Sequence, residues 1–427
     1  MRNVDYFKGK KVLVVGLARS GVACARLLCG LGAEVTVTDI KDDVRTRQAA
    51  GMLDPHKVRI ELGSHNRDTV LRADLVVVSP GVPADSLCVK WAHEAGRPVI
   101  GEVEAAAILC PARIVAVTGS NGKTTVTTLI GKVLEADKRK VFVCGNIGNP
   151  FCGEVEKMGP DDFAVLEISS FQLETIKTFK PEVALILNLT QNHLDRYPGM
   201  REYLDAKKRI FMNQDRGDFL VVNADDPVLK AVSSEALSKV IFFSRYGRAN
   251  PNYGAVEAVA GILGVSPQVY EKVFAGFKGI EHRMEEVGET RGVTFINDSK
   301  ATTADSAVWA ISNIKRPVIL IAGGRHKGID YRVILKEAEG KVKYAVLIGE
   351  ARDIIASDLG AGGFPVVKAA SLEEAVTEAY RAAGPGDCVL FSPMCSSYDM
   401  FTDYEQRGRV FKKIVADLLN REALVNG

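Results

Sequence analysis

Short runs of β-branched and aliphatic residues recur along the chain, at Lys11–Val15, Glu34–Thr38, Leu75–Ser79, Ile114–Thr118, Phe163–Ile168, Val183–Leu189, Phe219–Asn223, Val293–Ile296, Val318–Ala322, Tyr344–Ile348 and Cys388–Ser392. Helix-length amphipathic segments separate most of them. That alternation predicts an α/β fold with mostly parallel sheets. In such sheets ligands gather outside the C-terminal ends of the strands. The polar and Gly-bearing motifs fall at those ends, at Gly16, Ser79, Gly119, Glu167, Asn188, Asp298, Gly323 and Ser392.

The chain has 427 residues, more than one core usually serves, so two or three domains are expected. The pattern divides into a Rossmann-like block over residues 1–105, a central α/β block carrying a phosphate loop over 106–280, and a block over 281–427 where βα alternation restarts. The stretch Phe277–Arg283 reads as a hinge. A net charge of +2 and the lack of a long Lys/Arg run give no reason to expect a nucleic-acid partner. Apolar runs such as Val183–Leu187 are too short to span a bilayer, and Met1–Lys8 has no signal-type apolar segment. The 8 Cys show no C-x-x-C pair or zinc spacing, which fits free thiols in a reducing compartment. A cytoplasmic protein without membrane insertion is the expectation.

Val115–Thr125 carries the sharpest chemistry. A buried-type strand enters Thr118-Gly119-Ser120-Asn121-Gly122-Lys123-Thr124-Thr125 and a helical pattern follows. Backbone N–H groups around Gly119 and Gly122 can close on phosphate oxygens, Lys123 adds a positive charge, and Thr124 can ligate Mg²⁺. Val117 stands where the usual phosphate loop has its first Gly, so this is a narrower variant. Glu167 ends the next strand, where a carboxylate can hold Mg²⁺ directly or through water. Ser169 and Gln172 after it suit either substrate binding or a helix N-cap.

Other motifs are weaker alone. Gly16-Leu17-Ala18-Arg19-Ser20-Gly21 with Asp39 resembles a dinucleotide fingerprint, but Ala18 would crowd a pyrophosphate, which favours a different nucleotide diphosphate. Ser79-Pro80-Gly81 turns toward the same side. His193 lies in a polar loop, and Lys207 sits in the cationic run Lys207-Lys208-Arg209, a pattern that usually marks a solvated face. The last block adds Arg283, Asp298, Lys300, Thr302, Lys327 and Ser397, most of them near its strand ends.

Together, Thr118–Thr125, Glu167–Glu174, His193–Tyr197, Asn297–Thr302 and Ser392–Gly408 resemble the Mur ligases, ATP-dependent amino-acid ligases of peptidoglycan precursor synthesis, over nearly the whole chain. Leu166–Glu174, Asn297–Thr302 and Glu405-Gln406-Arg407-Gly408 are most similar to the D-glutamate-adding members. The resemblance implies UDP-N-acetylmuramoyl-L-alanine and D-glutamate as substrates, ATP with two Mg²⁺ sites, an acyl-phosphate intermediate, and a monomer. It implies a nucleotide site of Gly119, Ser120, Asn121, Gly122, Lys123, Thr124, Thr125, Asn250, Arg283 and Asp298. Metal ligands would be Thr124, Glu167, His193 and a carbamylated Lys207. The UDP-sugar would meet Arg19, Ser20, Asp39, Ser79, Gly81, Asn146, Ser169 and Gln172. D-Glutamate would meet Thr302, Lys327, Ser397 and Tyr404, and catalysis would use Lys123, His193, Lys207 and Lys300.

Three departures stand out. Asn192 replaces the Asp that often precedes the family's His. Asn250-Pro251-Asn252-Tyr253 offers Tyr253 where the family's adenine-side motif has its second Asn. Only Arg245–Ala249 separates the Phe242–Ser244 strand from Asn250, where relatives carry a longer insert. A folylpolyglutamate-type amide ligase and a catalytically weakened binding protein on the same fold are the competing readings.

Overall fold

A computed structural model describes residues 3–190, 197–248, 250–326 and 328–426. They form two compact units, Met1–Phe277 and Lys278–Gly427.

The first unit holds two sheets. Strands β1 (Lys11–Val15), β2 (Glu34–Asp39), β3 (Val58–Leu62), β4 (Leu75–Val78) and β5 (Val99–Gly101) are all parallel, in the order β3-β2-β1-β4-β5. Val12 and Val14 of β1 pack in one core, while Leu13 and Val15 pack in another on the opposite face. Burial on both faces is why the strand reads as a continuous apolar run rather than an alternating one. The second sheet comprises β6 (Arg113–Thr118), β7 (Val141–Gly145), β8 (Phe163–Glu167), β9 (Val183–Ile186), β10 (Phe219–Asn223) and β11 (Lys239–Phe243). It too is parallel, ordered β11-β10-β9-β6-β8-β7.

One core cluster runs from Val12, Leu28 and Val35 of the first sheet layer to Leu166, Ile186 and Leu220 of the second. The helix Glu102–Leu109 lies in this joint and carries two buried acids. Glu104 accepts from the backbone N of Lys177, Thr178 and Phe179 and from Thr178 Oγ1, at 2.5–2.9 Å. Glu102 Oε1 accepts from Cys152 N at 2.6 Å, and its Oε2 is buried without a hydrogen-bond partner.

Burial pushes the Glu102 carboxyl up to about 7, against hydrogen bonds from Cys152 and Phe151 that pull it down. The folded protein therefore holds a proton between the ordinary carboxylate range and about 7 that the unfolded chain has lost. Stability from this group is greatest in acid, falls as pH rises through that window, and is flat above it. Glu102→Gln keeps an acceptor for Cys152 and removes the ionisation. It is expected to match the wild type in melts near pH 4.5. At pH 8 it should be more stable by up to about 3 kcal/mol. Equal stability at both pH values would show that Glu102 is not forced to ionise inside the protein.

The second unit contains β12 (Glu285–Thr290), β13 (Val293–Asn297), β14 (Val318–Gly323), β15 (Val342–Ile348), β16 (Val366–Lys368) and β17 (Cys388–Phe391) in the order β12-β13-β17-β14-β15-β16. All pairs are parallel except β12 with β13, which is antiparallel and bulged between Glu286 and Gly288. Among the described residues, no helix is long and apolar enough to cross a membrane.

Candidate active site

The phosphate loop leaves β6 at Thr118 and enters the helix Lys123–Ala136. Gly119 has φ +151° and Gly122 φ +82°, conformations that L side chains rarely adopt. Space is closed there as well. A Cβ on Gly119 would lie 3.0 Å from Leu187 Cβ, and one on Gly122 would lie 2.6 Å from Asn252 Oδ1. Asn188, just past β9, braces the loop from both sides: its Oδ1 accepts from Asn121 N at 2.8 Å and its Nδ2 donates to Asn121 O at 3.0 Å. Ser120 Oγ donates to Thr190 O at 3.1 Å. Lys123 Nζ folds back to donate to Gly119 O at 2.8 Å and Ser120 O at 3.0 Å. Thr124 is buried in the first helical turn and Thr125 is half-buried.

Glu167 stands beside this loop because β8 pairs with β6, Val117 opposite Glu167. It is 3 % exposed. Asn146 Nδ2 donates to Glu167 Oε1 at 2.8 Å, whereas Oε2 is buried with no hydrogen-bond partner. A buried carboxylate oxygen left open next to a phosphate loop is the arrangement a bound cation would complete.

Lys207 corrects the solvated-face reading of its cationic run. It is 1 % exposed, and Nζ donates to Gly119 O at 3.0 Å. Its neighbour Lys208 reaches outward, pairing with Glu235 at 2.5 Å. The helix Met200–Lys208 turns successive residues to different faces, so adjacent lysines part company. Burial first, and the Lys123 charge second, push the Lys207 amine well below the ordinary lysine range.

Ser169 and Gln172 form a reciprocal capping box on the helix Ser170–Glu174. Gln172 N donates to Ser169 Oγ at 3.3 Å, and Ser169 N donates to Gln172 Oε1 at 2.9 Å. The cap expectation is met, at Ser169. On the first sheet, Asp39 accepts from Leu17 N at 2.7 Å and Lys41 N at 2.9 Å, and Ser79 Oγ donates to Gly16 O at 2.8 Å. These bonds hold the Gly16–Ala18 turn against the Ser79–Gly81 turn, where the sheet order reverses between β1 and β4. Gly21 is required by packing, since a Cβ there would lie 1.9 Å from Gly16 O. Arg19 Nη2 donates to Gly148 O at 2.8 Å, linking this turn to the loop that carries Asn146, and Ser20 is half-buried beside it.

Asn250 does not face the phosphate loop as an isolated ligand. Its Oδ1 accepts from both N and Nδ2 of Asn252 at 3.0 Å, and Asn252 is the side chain that stands over Gly122. Tyr253 belongs to the core, stacked on Phe274 with ring centroids 3.9 Å apart and its hydroxyl donating to Phe274 O at 3.1 Å.

In the second unit Asp298 follows β13. Its Oδ2 accepts from Ser392 Oγ at 2.9 Å and its Oδ1 from Met284 N at 3.2 Å. Burial pushes its carboxyl up to about 7, while those bonds and the Arg283 charge oppose the shift. Arg283 lies 5.9 Å from the Trp309 ring centroid, and Lys300 Nζ 5.7 Å from that of Tyr404. Thr302 is half-buried and Ser397 buried. Thus Asp298, Arg283, Lys300 and Tyr404 cluster, as do the loop, Glu167, Asn146 and Lys207 in the first unit. His193 and Lys327 lie outside the described residues.

Three structural participants were named in sequence motifs but given no role of their own: Asn188, which braces the loop, Asn252, and Arg407. The last had a signal. Arg407 lies on the same helical stripe as Phe411 and Val415, all buried, so a cation occupies an apolar face.

Three family models cover most of the chain. The Mur ligase MurD-like N-terminal domain matches residues 10–101, the Mur ligase middle domain 117–274, and the Mur ligase glutamate ligase domain 282–395. A UDP-N-acetylmuramoylalanine--D-glutamate ligase of Geotalea daltonii is 41% identical, with 96% of this chain and 98% of that one covered. The enzyme of the same name from Thermoanaerobacter sp. is 41% identical, covering 96% and 99%. Among solved structures, the UDP-N-acetylmuramate-alanine ligase MurC of Thermotoga maritima shares the fold, with a TM-score of 0.56 at 18% identity over 96% of this chain and 99% of that one. The MurF ligase of Thermotoga maritima, solved with ADP, has a TM-score of 0.56 at 17% identity over 98% and 97%. With domain models in the family's order and near-full-length relatives well above 30% identity, the chain belongs to the Mur ligase family.

Proposed function

We propose that this protein is an ATP-dependent amide ligase that adds D-glutamate to UDP-N-acetylmuramoyl-L-alanine, a cytoplasmic step of peptidoglycan precursor synthesis. The observation that carries this reading is its 41% identity, over 96% of the chain, to ligases of that name. The local geometry suits the chemistry. Joining a carboxylate to an amine requires the carboxylate to be phosphorylated and the resulting acyl phosphate to be attacked by the amine, with phosphate leaving. Catalysis is then mainly positioning and charge neutralisation.

The loop N–H groups and Lys123 would take the ATP phosphates, Lys123 exchanging its bonds to Gly119 O and Ser120 O for phosphate oxygens. Thr124 and the open oxygen of Glu167 fit one Mg²⁺, with Asn146 fixing the carboxylate. When bound, Mg²⁺ supplies neutralisation of the phosphate charge. A second Mg²⁺ would use His193 and a carbamylated Lys207. The buried, readily neutral amine of Lys207 is the form that adds to carbon dioxide. The Gly16 and Ser79 turns would hold the UDP-sugar, with Arg19, Ser20, Asp39 and Gly81 around it and Ser169 and Gln172 toward its acyl end. Lys300 would meet the transferring phosphate, with Arg283 and Asp298 on the nucleotide. Thr302, Lys327, Ser397 and Tyr404 would hold the amino acid.

The test is phosphate release with UDP-N-acetylmuramoyl-L-alanine and ATP across a panel of amino acids. Release confined to D-glutamate supports the proposal. Release with L-alanine or meso-diaminopimelate instead, or with none, sinks it. For Lys207, Lys207→Met is expected to lose at least about 10²-fold in turnover. It should melt no lower than the wild type, since it replaces a buried amine by an apolar side chain of similar length. A clearly lower melting point would make Lys207 a stabilising residue instead.

A further inference from the structure

Arg407 is placed where stability alone would not put an arginine. It is 1 % exposed, on the first turns of the helix Tyr404–Asn426, where a cation opposes the helix dipole. Among the described residues no carboxylate pairs with it within 4.0 Å, although the Asp399 charge acts on it from farther off. Its partners are neutral. Nε donates to Ser299 Oγ at 3.0 Å, Nη2 to Ser299 O at 2.8 Å, and both Nη1 and Nη2 to Cys395 O at 3.1 Å. Burial lowers its own pKa to about 10, so it remains charged at neutral pH.

What it touches is informative. Ser299 lies between Asp298 and Lys300 and donates to Tyr404 O at 2.9 Å. Cys395 precedes Ser396 and Ser397. Gly324 leaves β14 so close that a Cβ there would lie 3.2 Å from Arg407 Nη1 and 2.4 Å from Ser396 O. The loops after β13, β14 and β17 thus meet on one buried guanidinium. A planar fork can bond several carbonyl and hydroxyl oxygens at once, which a lysine cannot.

We infer that Arg407 is the positioning residue of the amino-acid pocket: it ties these three loops into one wall and supplies the buried positive charge against which an acidic amino acid binds. The inference rests on the proposed function and deepens it. Among the described residues Asp399 is a carboxylate that acts on this cation, and it does so without an ion pair; the charge left over raises the local potential, and a ligand carrying two carboxylates profits more than one carrying a single carboxylate. Arg407 thereby favours D-glutamate over D-glutamine without touching either.

The experiment compares wild type, Arg407→Lys and Arg407→Met in steady-state phosphate release, varying D-glutamate, D-glutamine and ATP separately, with a thermal melt of each. Methionine fills similar space, and apolar replacement of a buried ion is often tolerated. Arg407→Met is expected to raise the KM for D-glutamate about tenfold or more, to narrow the preference over D-glutamine, and to leave the KM for ATP within about twofold. Arg407→Lys, which keeps the charge, should recover part of the loss. An unchanged KM for D-glutamate in Arg407→Met overturns the inference, as does a parallel rise in both KM values. If the Met variant does not melt cooperatively, Arg407→Gln against Arg407→Lys makes the same comparison. A wild type that accepts no D-glutamate refutes the proposed function, whereas a wild type that accepts it with a variant that does not discriminate refutes only the role of Arg407.

Discussion

Lys123→Ala is expected to lower kcat/KM for ATP-dependent phosphate release by about 10³-fold or more while leaving the protein folded. The side chain is half-buried and donates to carbonyls of its own loop, Gly119 O and Ser120 O. Gly119 O keeps a second donor in Lys207 Nζ at 3.0 Å, so the stability cost should stay within about 1 kcal/mol. The loss of activity is large because the phosphates bring several negative charges to one point. Backbone N–H groups supply only partial charges there, and Lys123 supplies a full one. Removing it also takes away the second cause of the depressed Lys207 amine, so two parts of the site change together. Phosphate release and a thermal melt on the same preparation provide the check. Activity within tenfold of wild type would put the ATP phosphates elsewhere.

Glu104→Ala should have the largest effect on stability, with no catalytic group touched. This carboxylate, 1 % exposed, gathers three backbone N–H groups and one hydroxyl from Lys177–Phe179. Alanine leaves them without acceptors and opens a space in the joint between the two sheets of the first unit. Phe179 is buried, so its N–H cannot find water, whereas Lys177 and Thr178 can turn toward solvent. The expected cost is therefore roughly 3 kcal/mol rather than the sum of four lost bonds. For a unit of this size that corresponds to a fall of about 5–10 °C in melting temperature. Glu104→Gln retains one acceptor oxygen and should recover part of the loss. A melting temperature unchanged in Glu104→Ala would mean that the helix Glu102–Leu109 does not hold the joint.

The strands legible in the sequence share one property. The eleven apolar runs became β1, β2, β4, β6, β8, β9, β10, β13, β14, β15 and β17, the interior strands of three sheets. The edges were poorly legible: β3, β5, β7, β12 and β16 escaped, and β11 was seen only as Phe242–Ser244. Edge strands are paired on one side and partly wetted, so they lack the continuous apolar signal that burial on both faces demands. The residues of β3 and β12 are mostly half-exposed, and β5 is 3 residues long.

The candidate site divides in the same way. The phosphate loop was readable because its function resides in backbone shape, and backbone shape is written locally, in Gly119 and Gly122. Glu167 was readable because a lone acid closes an apolar strand. Lys207 and Arg407 were not readable from their own chemistry, because a cation next in sequence to other polar residues normally lies in water.

The sequence by itself determined the α/β class, the order of the interior strands along the chain, and the backbone shape of the Thr118–Thr125 loop, since each follows from local periodicity or local geometry. Only the tertiary structure decided which charges lie in water and which are held dry. Desolvation depends on every element packed around a group. The lowered amine of Lys207, the open oxygen of Glu167, the raised carboxyls of Glu102 and Asp298 and the buried guanidinium of Arg407 arise from residues far apart in the chain.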